Sequence, residues 1–86
     1  MATYKVEFRK SVEKELRSIS KKDQIRILQR ISELAEEPRP SGCKKLSGQE
    51  RYRLRQGNYR ILYEIEDDRL IVTVVKVGDR RDVYRK

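Results

Sequence analysis

The chain of 86 residues has no histidine and no tryptophan, and only one cysteine, one methionine and one phenylalanine. Without histidine, every Ser-His, Cys-His or His-His catalytic scheme is excluded. The single thiol, Cys43, has no partner for an internal disulfide, and alone it assembles no zinc site. A reducing cytosol is the expected compartment. No run of about 18 apolar residues is present, so no membrane span is expected, and no apolar signal core follows Met1. The four glycines form no phosphate-cradling loop. No linker, repeat or low-complexity tract divides the chain, so residues 1–86 read as one domain. A domain this small buries about 60–65% of its unfolded surface and is only marginally stable alone. Any chemistry must come from arginine, lysine, tyrosine or carboxylate, and the expectation is no cofactor and no metal.

Positive charge is abundant. Lys and Arg number 22 against 14 Asp and Glu, a net charge of +8. Residues 1–38 hold nine basic and seven acidic residues, and residues 61–86 hold six of each. Residues 39–60 hold Arg39, Lys44, Lys45, Arg51, Arg53, Arg55 and Arg60 against Glu50 alone, a net charge of +6. Such concentration is the footprint of a polyanion-binding surface, for which nucleic acid is the usual partner. A solvated basic surface is the competing explanation.

Within that segment, RYRLRQGNYRILYE (51–64) alternates. Arg51, Arg53 and Arg55 fall on one face of a strand, and Tyr52 and Leu54 on the other. Gly57-Asn58 is a two-residue hairpin signal. It sets Tyr52 opposite Tyr63, Leu54 opposite Ile61 and Arg55 opposite Arg60. The last pairing is unfavourable, because like charges directly opposite destabilise a sheet. Such a broken local rule points to a site that holds an anion.

The flanking chain reads as β-α-α-β-β-β. Thr3 to Arg9 alternates as a half-buried strand with Tyr4, Val6 and Phe8 on one side. From Ser11 the period becomes helical through Val12, Leu16 and Ile19. Ser20 to Asp23 marks a break and a new cap. A second helix follows through Ile27, Ile31 and Leu34, flanked by Leu28 and Ala35, and Pro38 and Pro40 stop it. Residues 38–48 read as loop. Strands follow at about 51–56, 59–66 and 69–77, the last two joined at Asp67-Asp68. The run from Leu70 to Val75, apolar on both faces, predicts a strand central in the sheet. The expected fold is α+β: a small, mainly antiparallel sheet with a helical hairpin packed on one face. The tail from Asp79 has no clear period.

Among candidate groups, the carboxylates Glu64, Glu66, Asp67 and Asp68 lie at and near a turn, where solvation explains them. Asp79 and Asp82 interleave with Arg80, Arg81 and Arg85, as local ion pairing would place them. The arginines are stronger candidates. Guanidinium groups hold phosphate oxygens bidentately and stay charged at any workable pH, which suits the charge of a phosphoryl transition state. Tyr84 lies among arginines that favour its phenolate. It could take a proton from a 2′-hydroxyl, stack on a base, or simply pack the C-terminus.

The stretch GNYRILYEIEDDRLIVTVVKVGDRRDVYR resembles the RelE/ParE toxin superfamily of prokaryotic toxin–antitoxin systems, with the RelE-like branch the nearer. The matching features are Tyr-Arg-x-x-Tyr after the glycine turn, the apolar strand, and Val-Gly-x-Arg-Arg-x-Val-Tyr-Arg at the end. Lys-Lys-Leu-x-Gly (Lys44 to Gly48) and the helical pair also fit. The resemblance implies a fold like that of small microbial ribonucleases. It also implies metal-independent endoribonuclease activity on messenger RNA in the ribosomal A site, which inhibits translation. A ribose 2′-hydroxyl attacks the adjacent phosphate, leaving a 2′,3′-cyclic phosphate.

Carried over by position, Arg60 stabilises the reacting phosphate and Arg80 the leaving 5′ oxygen. Tyr84 orients or deprotonates the 2′-hydroxyl, or stacks. Arg51, Arg53, Arg55, Lys44, Lys45, Arg81 and Arg85 are the expected RNA contacts. The chain departs from the family at Arg53 and Arg55, where well-studied members carry lysine. Arginine keeps the electrostatic role but makes a poor base. Asp79 stands where many relatives have histidine. The resemblance also implies a RelB-like antitoxin partner, a ribosome and messenger partner, and a free toxin that is monomeric. Two other functions stay open: ParE-like inhibition of DNA gyrase, and a basic RNA-binding module without catalysis.

Overall fold

The computed structural model describes residues 3–46 and 51–79. Strand β1 spans Lys5–Phe8, helix α1 Lys10–Arg17 and helix α2 Lys21–Glu33. Strand β2 is Lys44–Lys45, β3 Arg51–Gln56, β4 Tyr59–Glu66 and β5 Ile71–Asp79. The strands form one sheet in the order β1-β5-β4-β3-β2. β1 runs parallel to β5, and every other neighbouring pair is antiparallel. The α+β design expected from the sequence is the observed one. The strand β2, however, falls inside the segment expected to be loop. Two residues are too few to show a period, and β2 exists only because it pairs with β3, Lys44 against Arg53 and Lys45 against Tyr52.

Each helix buries the stripe its period predicts. Val12, Ile19, Ile27, Ile31 and Leu34 pack against Tyr52, Leu54, Ile61, Tyr63, Ile65, Val72, Val74 and Val77 of the sheet. Ser20 caps α2, its Oγ accepting the Asp23 N–H at 3.4 Å and donating to Asp23 Oδ2 at 3.1 Å. The β3–β4 hairpin turns at Gly57, which takes the left-handed conformation (φ 60°). A Gly in the first central position suits a type II′ hairpin turn. The second turn holds a less common feature, a non-glycine residue with positive φ, Leu70 (φ 54°).

β5 begins two residues later than expected and extends two further, to Asp79. It is interior, between β1 and β4, and β4 holds the middle of the sheet. Tyr63 pairs with Val74 while Leu62 pairs with Lys76, so Val75 is the extra residue of a β-bulge. The bulge resets the alternation, so that Val77, three residues after Val74, faces the same core. Val72, Val74 and Val77 belong to the main core, whereas Val75 joins Leu62 in a small second cluster with Leu46. β1 covers β5 only from Ile71 to Val74. Past that point α1 lies alongside, and its Glu15 accepts the Val77 N–H at 2.9 Å and Lys76 Nζ at 3.1 Å.

Candidate functional site

The helices occupy one face of the sheet. The other face carries the odd-numbered residues of β3, Arg51, Arg53 and Arg55, and their register partners on β4, Glu64, Leu62 and Arg60. Arg55 and Arg60 stand directly opposite each other, as the hairpin rule predicts. Tyr59 and Ile61 lie on the core side, so Arg60 is held on the open face between two core residues. It is nonetheless the one buried charged residue of the described chain, at 8% exposure, while Arg55 is exposed. On its β5 side Arg60 pairs with Gly78, which adds no side chain. The described chain ends one residue later, at Asp79. Lys44, paired with Arg53, adds an exposed cation at the outer edge; Lys45, beside it, pairs with Tyr52.

Structure subtracts from the charge the sequence counts. Arg51 Nη2 donates to Glu64 Oε2 at 2.7 Å, and Arg9 approaches the same carboxylate at 3.8 Å. Arg51 therefore stands in an ion-pair cluster at one end of the face. Arg39 is withdrawn altogether. Its guanidinium donates to both Asp67 oxygens (2.8 and 3.2 Å) and to the Tyr52 hydroxyl (3.1 Å), and it lies 5.2 Å from the Tyr52 ring centroid. Tyr4 donates to the same carboxylate at 2.6 Å. The Arg39 and Tyr4 hydrogen bonds hold the Asp67 carboxyl below its ordinary range, and Asp67 in turn raises the Tyr4 phenol. No local sequence signal announces this group, since its members lie up to 63 positions apart. Of the other basic site residues on β2–β4, Lys44, Lys45 and Arg55 are exposed.

Tyr4, Tyr59 and Tyr63 are held toward the neutral phenol. Burial pushes the Tyr63 phenol well above its usual value, and its hydroxyl donates to the Pro38 carbonyl at 2.7 Å. Tyr59 is raised by desolvation and by Asp23 and Asp79. A hollow of about 310 Å³ lies beside Tyr59, lined by Glu15, Ser18, Ile19, Lys76 and Gly78 among others. It opens on the helix side and so does not coincide with the arginine face. Arg80, Arg81, Tyr84 and Arg85 lie outside the described residues. Among the described residues no three His, Cys, Asp or Glu side chains converge as metal ligands, and no helix is long and apolar enough to cross a membrane.

A helical hairpin on one face of a five-stranded sheet, with arginines paired on the other, defines an α+β architecture shared with known toxins. The family model for the ParE toxin of type II toxin–antitoxin systems matches residues 6–84. A RelE-like toxin protein of Escherichia coli is 31% identical over 85 residues, covering 94% of this chain and 90% of that protein. The archaeal RelE–RelB complex from Pyrococcus horikoshii contains a chain that superposes with a TM-score of 0.83 at 31% identity, covering 93% of this chain and 98% of that one. The isolated E. coli RelE toxin gives 0.78 at 28% identity, with 94% and 90% covered. The chain belongs to the RelE/ParE superfamily of type II toxin–antitoxin toxins.

Proposed function

We propose that the protein is a ribosome-dependent endoribonuclease that cleaves messenger RNA in the A site and so inhibits translation. The observation that carries this reading is the Arg55–Arg60 pair, like charges set opposite each other with Arg60 buried. Two guanidiniums at one register position raise the local positive potential, and a phosphodiester seated between them relieves it through bidentate, charge-assisted hydrogen bonds. Arg60 binds the reacting phosphate and stabilises its additional charge during 2′-hydroxyl attack. Arg53, Arg55, Lys44 and Lys45 hold the flanking strand. Arg80 follows directly on Asp79 in the sequence, beyond the Gly78 that pairs with Arg60. It stabilises the leaving 5′ oxygen, and Tyr84 orients or deprotonates the attacking hydroxyl.

The test is cleavage of a defined messenger with one codon in the A site, followed by analysis of the new ends. Arg60→Ala should lower the rate by about 10²–10³-fold, the typical effect of removing one transition-state hydrogen-bond donor. Tyr84→Phe keeps the ring and removes the hydroxyl, so it separates proton transfer from stacking. No cleavage by the wild-type protein would overturn the reading. Gyrase supercoiling would be assayed next, because the matching family model carries the ParE description.

A cognate RelB-like antitoxin completes the proposal. Solved relatives include RelE–RelB complexes from P. horikoshii and E. coli.

A further inference from the structure

The open face of the sheet is not uniformly basic. Register places Arg55, Arg60 and Gly78 in one row across β3, β4 and β5. Four residues away along β4, about 13 Å at roughly 3.3 Å per residue, a second row runs through Arg51, Glu64, Thr73 and Glu7. Between the two rows, Arg53 stands opposite Leu62. Ile65 belongs to the core, so Glu66 follows Glu64 on the open face, and it pairs with Arg69 at 3.3 Å. Among the described residues, the carboxylates that β1 and β4 turn to this face, Glu7, Glu64 and Glu66, all lie at the end away from Arg60.

Glu64 organises that end. Arg51 donates to Glu64 Oε2 through both Nη2 and Nε, at 2.7 and 3.3 Å, and Arg9 reaches the same oxygen at 3.8 Å. The hairpin does not need this pair for its register, since Gly57 makes the turn and Tyr52 stacks on Tyr63 with ring centroids 5.8 Å apart. Its effect on stability is small as well. The Arg51 and Glu64 side chains keep 31% and 35% of their exposure, and ion pairs this open to water contribute little. What the pair alters is the field at the surface. Arg51 is neutralised by its partner, and a phosphate approaching it meets a carboxylate of like charge.

We propose that Glu64 is a specificity-determining residue of the RNA site: it holds Arg51 off the phosphate backbone and ends the cationic track at Arg53, so that the protein grips a short stretch of message and binds free single-stranded RNA weakly. The proposal rests on the RNA-cleavage reading above. Affinity from phosphate contacts grows with each phosphate neutralised and takes no account of sequence. A track lengthened by Arg51 would therefore add affinity for every RNA alike, message outside the ribosome included. A carboxylate at the end of the track removes that affinity and leaves the row around Arg60 untouched. Discrimination of this kind comes from contacts withheld from the wrong substrate.

The test measures binding of a single-stranded RNA 20-mer over a range of KCl concentrations for the wild type, for Glu64→Gln, and for Glu64→Gln combined with Arg51→Gln. Glu33→Gln is the control for net charge, because it releases Arg30 from a 3.3 Å pair on α2, away from the open face. The thermal midpoint of Glu64→Gln should stay within a few degrees of wild type. Its affinity should rise about tenfold near 0.1 M KCl, and the salt slope should steepen by roughly 0.7 to 1.4, since each single-strand phosphate neutralised contributes about 0.7. Adding Arg51→Gln should remove most of the gain, because Arg51 lies 2.7 Å from Glu64 and Arg9 3.8 Å. Glu33→Gln should bind as the wild type does. Unchanged affinity and slope in Glu64→Gln would overturn the proposal. So would an equal gain in Glu33→Gln, which traces to net charge, or a gain kept in full without Arg51. Cleavage of a message in the A site is assayed alongside. If the wild type cleaves but Glu64→Gln gains no affinity, only the role of Glu64 falls. If the wild type neither cleaves nor binds RNA, the parent reading falls and takes this one with it.

Discussion

Arg55 and Arg60 face each other across β3 and β4 with the same charge, yet differ in environment. Arg60 is buried, whereas Arg55 is exposed. Directly opposed like charges cost a few tenths of a kcal/mol to about 1 kcal/mol in a sheet. Arg55→Gln should therefore hold or raise the thermal midpoint while weakening RNA cleavage. Equal loss of stability and activity would show that the pairing is not strained for a ligand. Asp67 works in the opposite sense, as a carboxylate with its charge fully used. Its folded pKa is depressed by Arg39 and Tyr4, so it binds its proton less readily folded than unfolded. Its contribution is present above the unfolded value near 3.8 and is lost as pH falls through the lower folded value. Asp67→Asn should melt earlier than wild type at pH 7, and the gap should close as melts are repeated toward pH 3. A gap independent of pH would assign the effect to hydrogen-bond geometry alone.

At the scale of elements, the bulge at Val75 decides how β5 meets α1. It shifts the alternation by one residue, so that the core-facing position after Val74 is Val77. With β1 paired only as far as Val74, the next stretch of that edge is covered by α1, and Glu15 takes the Val77 N–H. Leaving a partly buried backbone donor unmatched costs about 1–3 kcal/mol. Glu15→Ala should lower stability by that amount in urea, shifting the midpoint with the denaturant slope unchanged. Glu15→Gln keeps an acceptor for the amide and should recover part of the loss. A neutral Glu15→Ala would mean that water replaces the carboxylate without cost.

For the whole molecule, the dominant fact is the segregation of charge. Ion pairs gather at the β3–β4 end near Arg51 and Glu64 and at the Arg39–Asp67 link. Cations outnumber carboxylates on the open sheet face, with Lys44 and Arg55 exposed there, and again on the outer side of the helical hairpin. An antitoxin that silences the sheet face must present acidic groups to it. Its affinity should weaken with added salt more than an apolar contact would, chiefly through slower association. Salt-insensitive binding would point instead to apolar contact, for which the groove between β1 and α2 offers a surface.

The elements and the hairpin register were already legible in the chain. Period-two and helical repeats, the Ser20 cap and the Gly57 turn are local rules, and they set Tyr52 against Tyr63 and Arg55 against Arg60 without reference to distant residues. The two-residue strand β2 was not legible, because it has no pattern apart from its partner. The family resemblance rests on an ordered set of short motifs, the last of which ends beyond Asp79. Which charges are available, in contrast, is settled by folding. Counting along the chain assigns residues 39–60 a net charge of +6 and residues 1–38 a nearly balanced one. Folding pairs Arg39 and Arg51 with distant carboxylates, and it draws Glu13, Glu15 and Asp23 away from the lysines beside them. Electrostatic interaction depends on distance in space and on solvent exposure, and neither quantity is written in the order of residues.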